Sequence, residues 1–148
     1  MARLMSKFMA LPARRKLRFL QCWLLLLFMR VALLFVPVRV LLDVGKSSLA
    51  SFRKPSEREC AAHGRELAWM MTRCSRIVPG AKCLAQALAF QILLGRKGCP
   101  CDLHIGVARF LDGEFSSHAW VVLQGHTILG GATSPEAYRS IFVSGKSA

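Results

Sequence analysis

The sequence predicts an α+β domain, helices packed on a small antiparallel sheet, preceded by an apolar and basic N-terminal helical arm. Three observations predict it. Residues 1–54 hold eleven Lys/Arg against the single acid Asp43, a charge of +10, within a strongly apolar run. Residues 57–94 then carry apolar side chains at three- and four-residue steps, the period of helices. From residue 102 the period drops to two, and Gly-centred turns separate the segments.

The chain has 148 residues, enough for one domain with its own core but not for two full ones. Its net charge of +13 sits almost wholly in the arm, so the remainder reads as an ordinary globular domain. Within the arm, "FLQCWLLLLFMRVALLFVPVRVLL" (19–42) is apolar except at Gln21, Arg30, Pro37 and Arg39, and follows the cluster "ARRKLR". A signal peptide needs a small-residue cleavage site after such a run, and none follows cleanly. A transmembrane span would place Arg30 near its middle, at a cost of about 2.5–3.5 kcal/mol. A helix on a membrane surface, or packed against its own domain or a partner, lets the arginines reach the polar side and meets neither objection. Nucleic-acid binding is disfavoured, because the basic residues alternate with aliphatic ones rather than with stacking aromatics or polar base readers.

The segment "DVGKSSLASFRKPS" (43–56) breaks the apolar run with Gly, Ser and Pro and reads as a hinge. The organisation expected is therefore an arm with its hinge at 1–54 and a domain at 55–148. The first domain helix covers 57–75, with Ala61, Leu67, Met71 and Cys74 on one face, and "VPG" stops it. The second covers 81–94, with Leu84, Leu88 and Ile92 in phase, and "GRKG" ends it. Strands follow at 102–110 and 115–123, joined through Asp112-Gly113, whose residue types suit a tight hairpin. A third antiparallel strand covers 126–131, and Ser134-Pro135 opens a short final helix, with Ser as N-cap and Pro at the first helical position.

Six cysteines with no export signal argue for a reducing compartment and free thiols. Cys83 falls in the first turn of the second helix. Unpaired N–H groups and the positive dipole end favour a thiolate there, and the same groups could hold an oxyanion. Position alone leaves three roles open: small core residue, metal ligand or nucleophile. Among the four histidines, His118 lies mid-strand in "SSHAWVVL", on the face of Ser116, Trp120 and Val122. Cys99-x-Cys101 with His104, and Cys60-x-x-His63, lack the paired spacing of zinc ribbons or fingers, so neither a metal nor a cofactor is expected.

A helix-start Cys followed by a hairpin that carries a His is the order of the transglutaminase-like cysteine peptidase core. The stretches "CLAQALAFQILLGRKG", "LHIGV" and "SHAWVVLQG", together with the arm, closely resemble the leader peptidases of lasso-peptide biosynthesis over residues 14–140. The resemblance implies a transglutaminase/papain-like fold and a cytoplasmic bacterial enzyme that cuts the leader from a ribosomally made precursor peptide. A cyclase related to asparagine synthetase would then join the freed amine to an Asp or Glu side chain. No winged-helix-like recognition module precedes the core, so a separate leader-recognition protein is implied, with the arm as its docking surface or as a peripheral contact at the inner membrane. Carried over by residue, Cys83 is the nucleophile and His118 the general base. The family's third member, an Asp twelve positions after the His, is matched here by Gly130, leaving His126, Thr127 or Asp112 as polar neighbours. Two other readings share these features: a non-catalytic membrane-associated scaffold of a maturation complex, and another acyl-transfer enzyme on the same core.

Overall fold

A computed structural model describes residues 12–47, 54–109, 114–131 and 137–144. The apolar arm forms two helices rather than one continuous run: α1 (Ala13–Phe35) and α2 (Val38–Ser47). Pro37 causes the break, because the residue before a proline is pushed out of the helical region, and Val36 is accordingly extended at φ −111°, ψ 133°. Helix α2 continues to Ser47, so the expected hinge at 43–56 begins inside a helix, and its 48–53 portion lies outside the described residues.

Helix α3 (Glu57–Ser75) starts where the sequence places it. The Glu59 N–H donates to Ser56 Oγ at 3.3 Å and the Ser56 N–H donates to Glu59 Oε2 at 2.8 Å, a capping box worth about 1 kcal/mol. Its buried residues are Cys60, Gly64, Met70, Met71 and Cys74. Gly64 lets the helix approach the sheet closely, since a Cβ there would stand 2.6 Å from Ile128 Cδ1. Helix α4 (Cys83–Gly95) is apolar on every side and buries nine of its thirteen residues, which makes it the central helix of the fold.

The sheet contains β1 (Asp102–Arg109), β2 (Phe115–Leu123), β3 (His126–Leu129) and β4 (Arg139–Ser144), in the order β3-β2-β1-β4 with every pairing antiparallel. Ala119, Val121 and Leu123 belong to the main core with Leu88, Phe90 and Ile92 of α4, whereas Trp120, Ala108 and Tyr138 form a smaller cluster. The β1–β2 register pairs Arg109 with Phe115, whereas a two-residue turn at Asp112-Gly113 would pair Arg109 with Ser116, so the connection is longer by an odd number of residues than the tight hairpin expected; the turn itself lies outside the described residues.

A three-strand meander is corrected to four strands. The final helix expected from Ser134 falls on residues outside those described, and 139–144, left without a strand by the sequence pattern, pairs with β1 around a bulge at Ile105/Gly106. Exposed residues dominate this edge strand, which therefore shows no apolar alternation to read. It is anchored instead by buried Gln91 of α4, whose Nε2 donates to the Ser144 carbonyl at 2.9 Å.

The arm's first helix is built into this body. Cys22, Leu26, Met29 and Ala32 of α1 share one core with α3, α4 and the sheet, and Arg18 bonds Glu66 of α3 at 3.0 Å on the surface. The expectation of six free thiols is also corrected. Cys60 and Cys99 form a disulfide, because the start of α3 and the loop after α4 bring their Cα atoms within 5.4 Å, inside the span a disulfide can bridge. Cysteine usage thus ceases to favour a reducing compartment.

Candidate active site

The turn before α4 sets the position of Cys83. Gly80 adopts φ +69°, the Ala81 N–H donates to the Val78 carbonyl and the Lys82 N–H to the Gly80 carbonyl, and Lys82 is an extended N-cap without a side-chain capping bond. Cys83 is therefore the first helical residue, with uncapped first-turn N–H groups around it. Gln86 folds back over the turn, its Nε2 donating to the Ala81 carbonyl at 2.8 Å.

Of the four free cysteines, Cys83 alone is not buried. Burial, with a lesser contribution from Asp102, pushes the Cys101 thiol up to about 12. The neighbouring Cys74 thiol across the α1–α3 contact, together with burial, likewise holds Cys22 far toward its neutral form, its Sγ donating to Met71 Sδ at 3.9 Å. Cys22 and Cys101 are thus held as thiols, the less reactive form, and Cys74, which its Cys22 neighbour shifts the other way, is fully buried, so burial keeps all three from a reagent or substrate.

His118 lies in β2 opposite Gly106 of β1. Its ring stacks on Trp120 (centroids 6.2 Å, planes 17° apart) and tilts against Tyr138 at 5.3 Å, while Trp120 stacks in turn on His104 at 5.4 Å. The decisive contact is at the other end of the ring, where His118 Nε2 lies 2.7 Å from the carbonyl oxygen of Gly130. A carbonyl only accepts, so Nε2 carries the proton and the neutral ring keeps Nδ1 as its basic nitrogen.

β3 ends at Leu129, two residues before the end expected for that strand, and Gly130 follows it at φ +82°. A Cβ at this position would lie 2.8 Å from the Ala119 carbonyl oxygen and 3.0 Å from Trp120 Cα. An aspartate in this backbone is thus excluded, and the main chain presents a carbonyl to the imidazole instead. Of the polar neighbours expected from the sequence, His126 and Thr127 are exposed on β3 and neither bonds to His118, while Asp112 lies outside the described residues.

Cys83 and His118 line one cleft of about 400 Å³, shared with Thr72, Gln86, Ile128 and Gly130. No hydrogen bond joins the Cys83 sulfur to the His118 ring in this structure. The cleft thus unites a helix-start thiol, an imidazole of fixed tautomer and uncapped backbone N–H groups, the components of acyl transfer through sulfur. Neither pair weighed as a zinc site meets there: Cys60 and Cys99 are bonded to each other, and His63 lines a separate small cavity beside Arg18 and Glu66. The sequence reading missed the Gly130 carbonyl and the Tyr138 contact. The doubled glycine of "ILGG", which breaks a strand pattern, was the available signal for the first. A family model described as the transglutaminase-like superfamily matches residues 22–143, from within α1 to within β4. No curated protein and no solved structure matches the chain.

Proposed function

The chain belongs to the transglutaminase-like superfamily, and on that premise we propose that it is a cysteine peptidase which removes the leader from a ribosomally synthesised lasso-peptide precursor. The observation that carries the thiol chemistry is the shared cleft of Cys83 and His118, with the imidazole held through Nε2 by the Gly130 carbonyl. The substrate class rests on the resemblance of the Cys83 and His118 stretches to lasso leader peptidases.

In this reading, substrate entry brings the thiol and Nδ1 into contact, as catalytic hydrogen bonds commonly tighten only in the complex. The Cys83 proton passes to Nδ1, and the sulfur bonds to the scissile carbonyl carbon. The developing oxyanion faces the first-turn N–H groups of α4. The C–N bond then breaks, the imidazolium gives its proton to the departing amine of the core peptide, and a thioester to the leader remains. Water, deprotonated by the same imidazole, hydrolyses that thioester and restores the thiol. The proposed partners are the precursor, a separate leader-recognition protein and an asparagine-synthetase-like cyclase, and the proposed compartment is the cytoplasm.

The test is incubation of the purified protein with precursor and recognition partner, read by mass. Leader release with the full core peptide is expected, and Cys83→Ala should abolish it. Normal release by Cys83→Ala would overturn the assignment. A product joined to an amine with loss of ammonia would transfer the same pair of residues to a crosslinking enzyme of the superfamily.

A further inference from the structure

The geometry points to α1 as a membrane-docking ridge that holds the domain flat on an anionic phospholipid surface. Helix α1 has two apolar faces. Cys22, Leu26, Met29 and Ala32 are buried in the core, while Leu17, Leu20, Leu24, Phe28, Val31 and Phe35 are exposed. At about 100° per residue these two sets lie on opposite sides of the helix, and the exposed set extends for about 27 Å. Phe35 is 82% exposed and Phe28 61%. A continuous apolar ridge of this length marks an interaction surface.

Length and composition would let α1 cross a bilayer, but its inner face is committed to the protein core. A helix covered on one side by its own domain can only lie in the interface plane, inserting its outer face.

Charge identifies the occupant. Exposed Arg14 stands at one end of the ridge and exposed Arg39 just past the other. Alongside runs a groove of about 480 Å³ whose apolar residues Leu24, Phe28 and Leu93 are bordered by Arg96 and Lys97. Among the described residues none of these four cations has an ion-pair partner. Residues 1–54 add +10 overall. An apolar ridge flanked by unpaired cations matches a bilayer with anionic headgroups, which supplies hydrocarbon to the ridge and phosphate to its borders. A second copy fits poorly, because pairing through this ridge would bring two +10 segments together.

The experiment is vesicle flotation of the full chain, with phosphatidylcholine alone and with one-third phosphatidylglycerol. Binding is expected to the anionic vesicles, weakening as salt rises, with at least tenfold less on neutral vesicles. At about fivefold per basic residue at such a surface, Arg96→Gln with Lys97→Gln should weaken anionic binding about 25-fold. Leu24→Glu with Phe28→Glu should abolish it without lowering the melting temperature, both side chains being exposed. Failure of the wild type to float with anionic vesicles would overturn the proposal, as would floating of the Leu24/Phe28 variant like wild type. A soluble dimer, or a complex with the recognition protein, that blocks flotation and is broken by Phe28→Glu would assign the ridge to a protein and overturn it equally. Leader release in detergent-free solution is read in parallel, and its retention by the ridge variants separates this outcome from the fate of the peptidase assignment.

Discussion

Placing at Gly130 the aspartate that the resemblance to leader peptidases implies, through Gly130→Asp, should impair this protein. Two costs can be worked from the structure. At φ +82° an L-residue incurs about 1–2 kcal/mol of backbone strain. The new Cβ would also press within 2.8 Å of the Ala119 carbonyl and 3.0 Å of Trp120 Cα, both backbone atoms of a central strand that cannot turn away. A total of about 2–3 kcal/mol follows, equivalent to about 5–10 °C in melting temperature for a domain of this size. Relief requires the chain at Gly130 to shift, which removes the 2.7 Å bond to His118 and with it the fixed tautomer. Positioned acid–base groups contribute about 10²–10⁴-fold, so the leader release proposed for this protein should fall by at least about 10²-fold. The assay pairs calorimetry with single-turnover leader release across pH, comparing Gly130→Asp with Gly130→Ala. Both variants should lose rate together. If Gly130→Asp releases leader faster than wild type, or clearly faster than Gly130→Ala at equal stability, a carboxylate can orient His118 from this position and the carbonyl argument is refuted. The ring offers an independent check. Nitrogen NMR of His118 should show the Nε2–H tautomer in the wild type, and a dominant Nδ1–H form would contradict the bond to Gly130.

The remaining expectations concern the thiols. Iodoacetamide at neutral pH should modify Cys83 at least about tenfold faster than Cys22, Cys74 or Cys101, because only Cys83 is not buried; peptide mass mapping before and after denaturation reads the order, and early labelling of Cys101 would contradict the packing. Replacing Cys60 and Cys99 by Ser opens a bridge between residues 39 apart, worth about 4 kcal/mol in the chain-entropy model, and should lower the melting temperature by about 8–16 °C; an unchanged melt in oxidising buffer would show that the bridge is not formed. Cys101 should make the fold sensitive to alkali. Its folded thiol stays protonated up to about 12 against an ordinary value of 9.0, so the stability it contributes is complete below pH 9 and is lost as pH rises from 9 toward 12. Melts across that range should fall less steeply in Cys101→Ala than in wild type.

Local signals were legible where one stretch of chain decided the outcome. Helix α3 begins and ends where the three- and four-residue spacing and "VPG" place it, because both signals involve only residues a few positions apart. The two strands of the β1–β2 pair were equally readable, since the alternation of each is contiguous, but their register was not, because it is set by the whole connection rather than by Asp112-Gly113. Strand β4 was not. Its side chains are mostly exposed, and its reason for being a strand is the open edge of β1, a partner more than thirty residues earlier in the chain. The placement of Cys83 at a helix start was legible, but its distinction from five other cysteines was not, since burial of Cys22, Cys74 and Cys101 and pairing of Cys60 with Cys99 are properties of the packed body.

The arm and Gly130 mark the division between the two sources most clearly. By itself the sequence determined that residues 19–42 are apolar and basic, that Pro37 stands within them, that a thiol opens a helix and a histidine sits mid-strand two hairpin segments later. Only the tertiary structure decided which face of α1 is consumed by the core and which is left outside, because a helix apolar on both sides gives no periodicity to choose between them. It also decided what holds His118. A missing carboxylate looks like a vacancy in sequence, where side chains are all that can be compared; in the fold, a left-handed glycine turns the main-chain carbonyl into that place, and backbone groups have no letter.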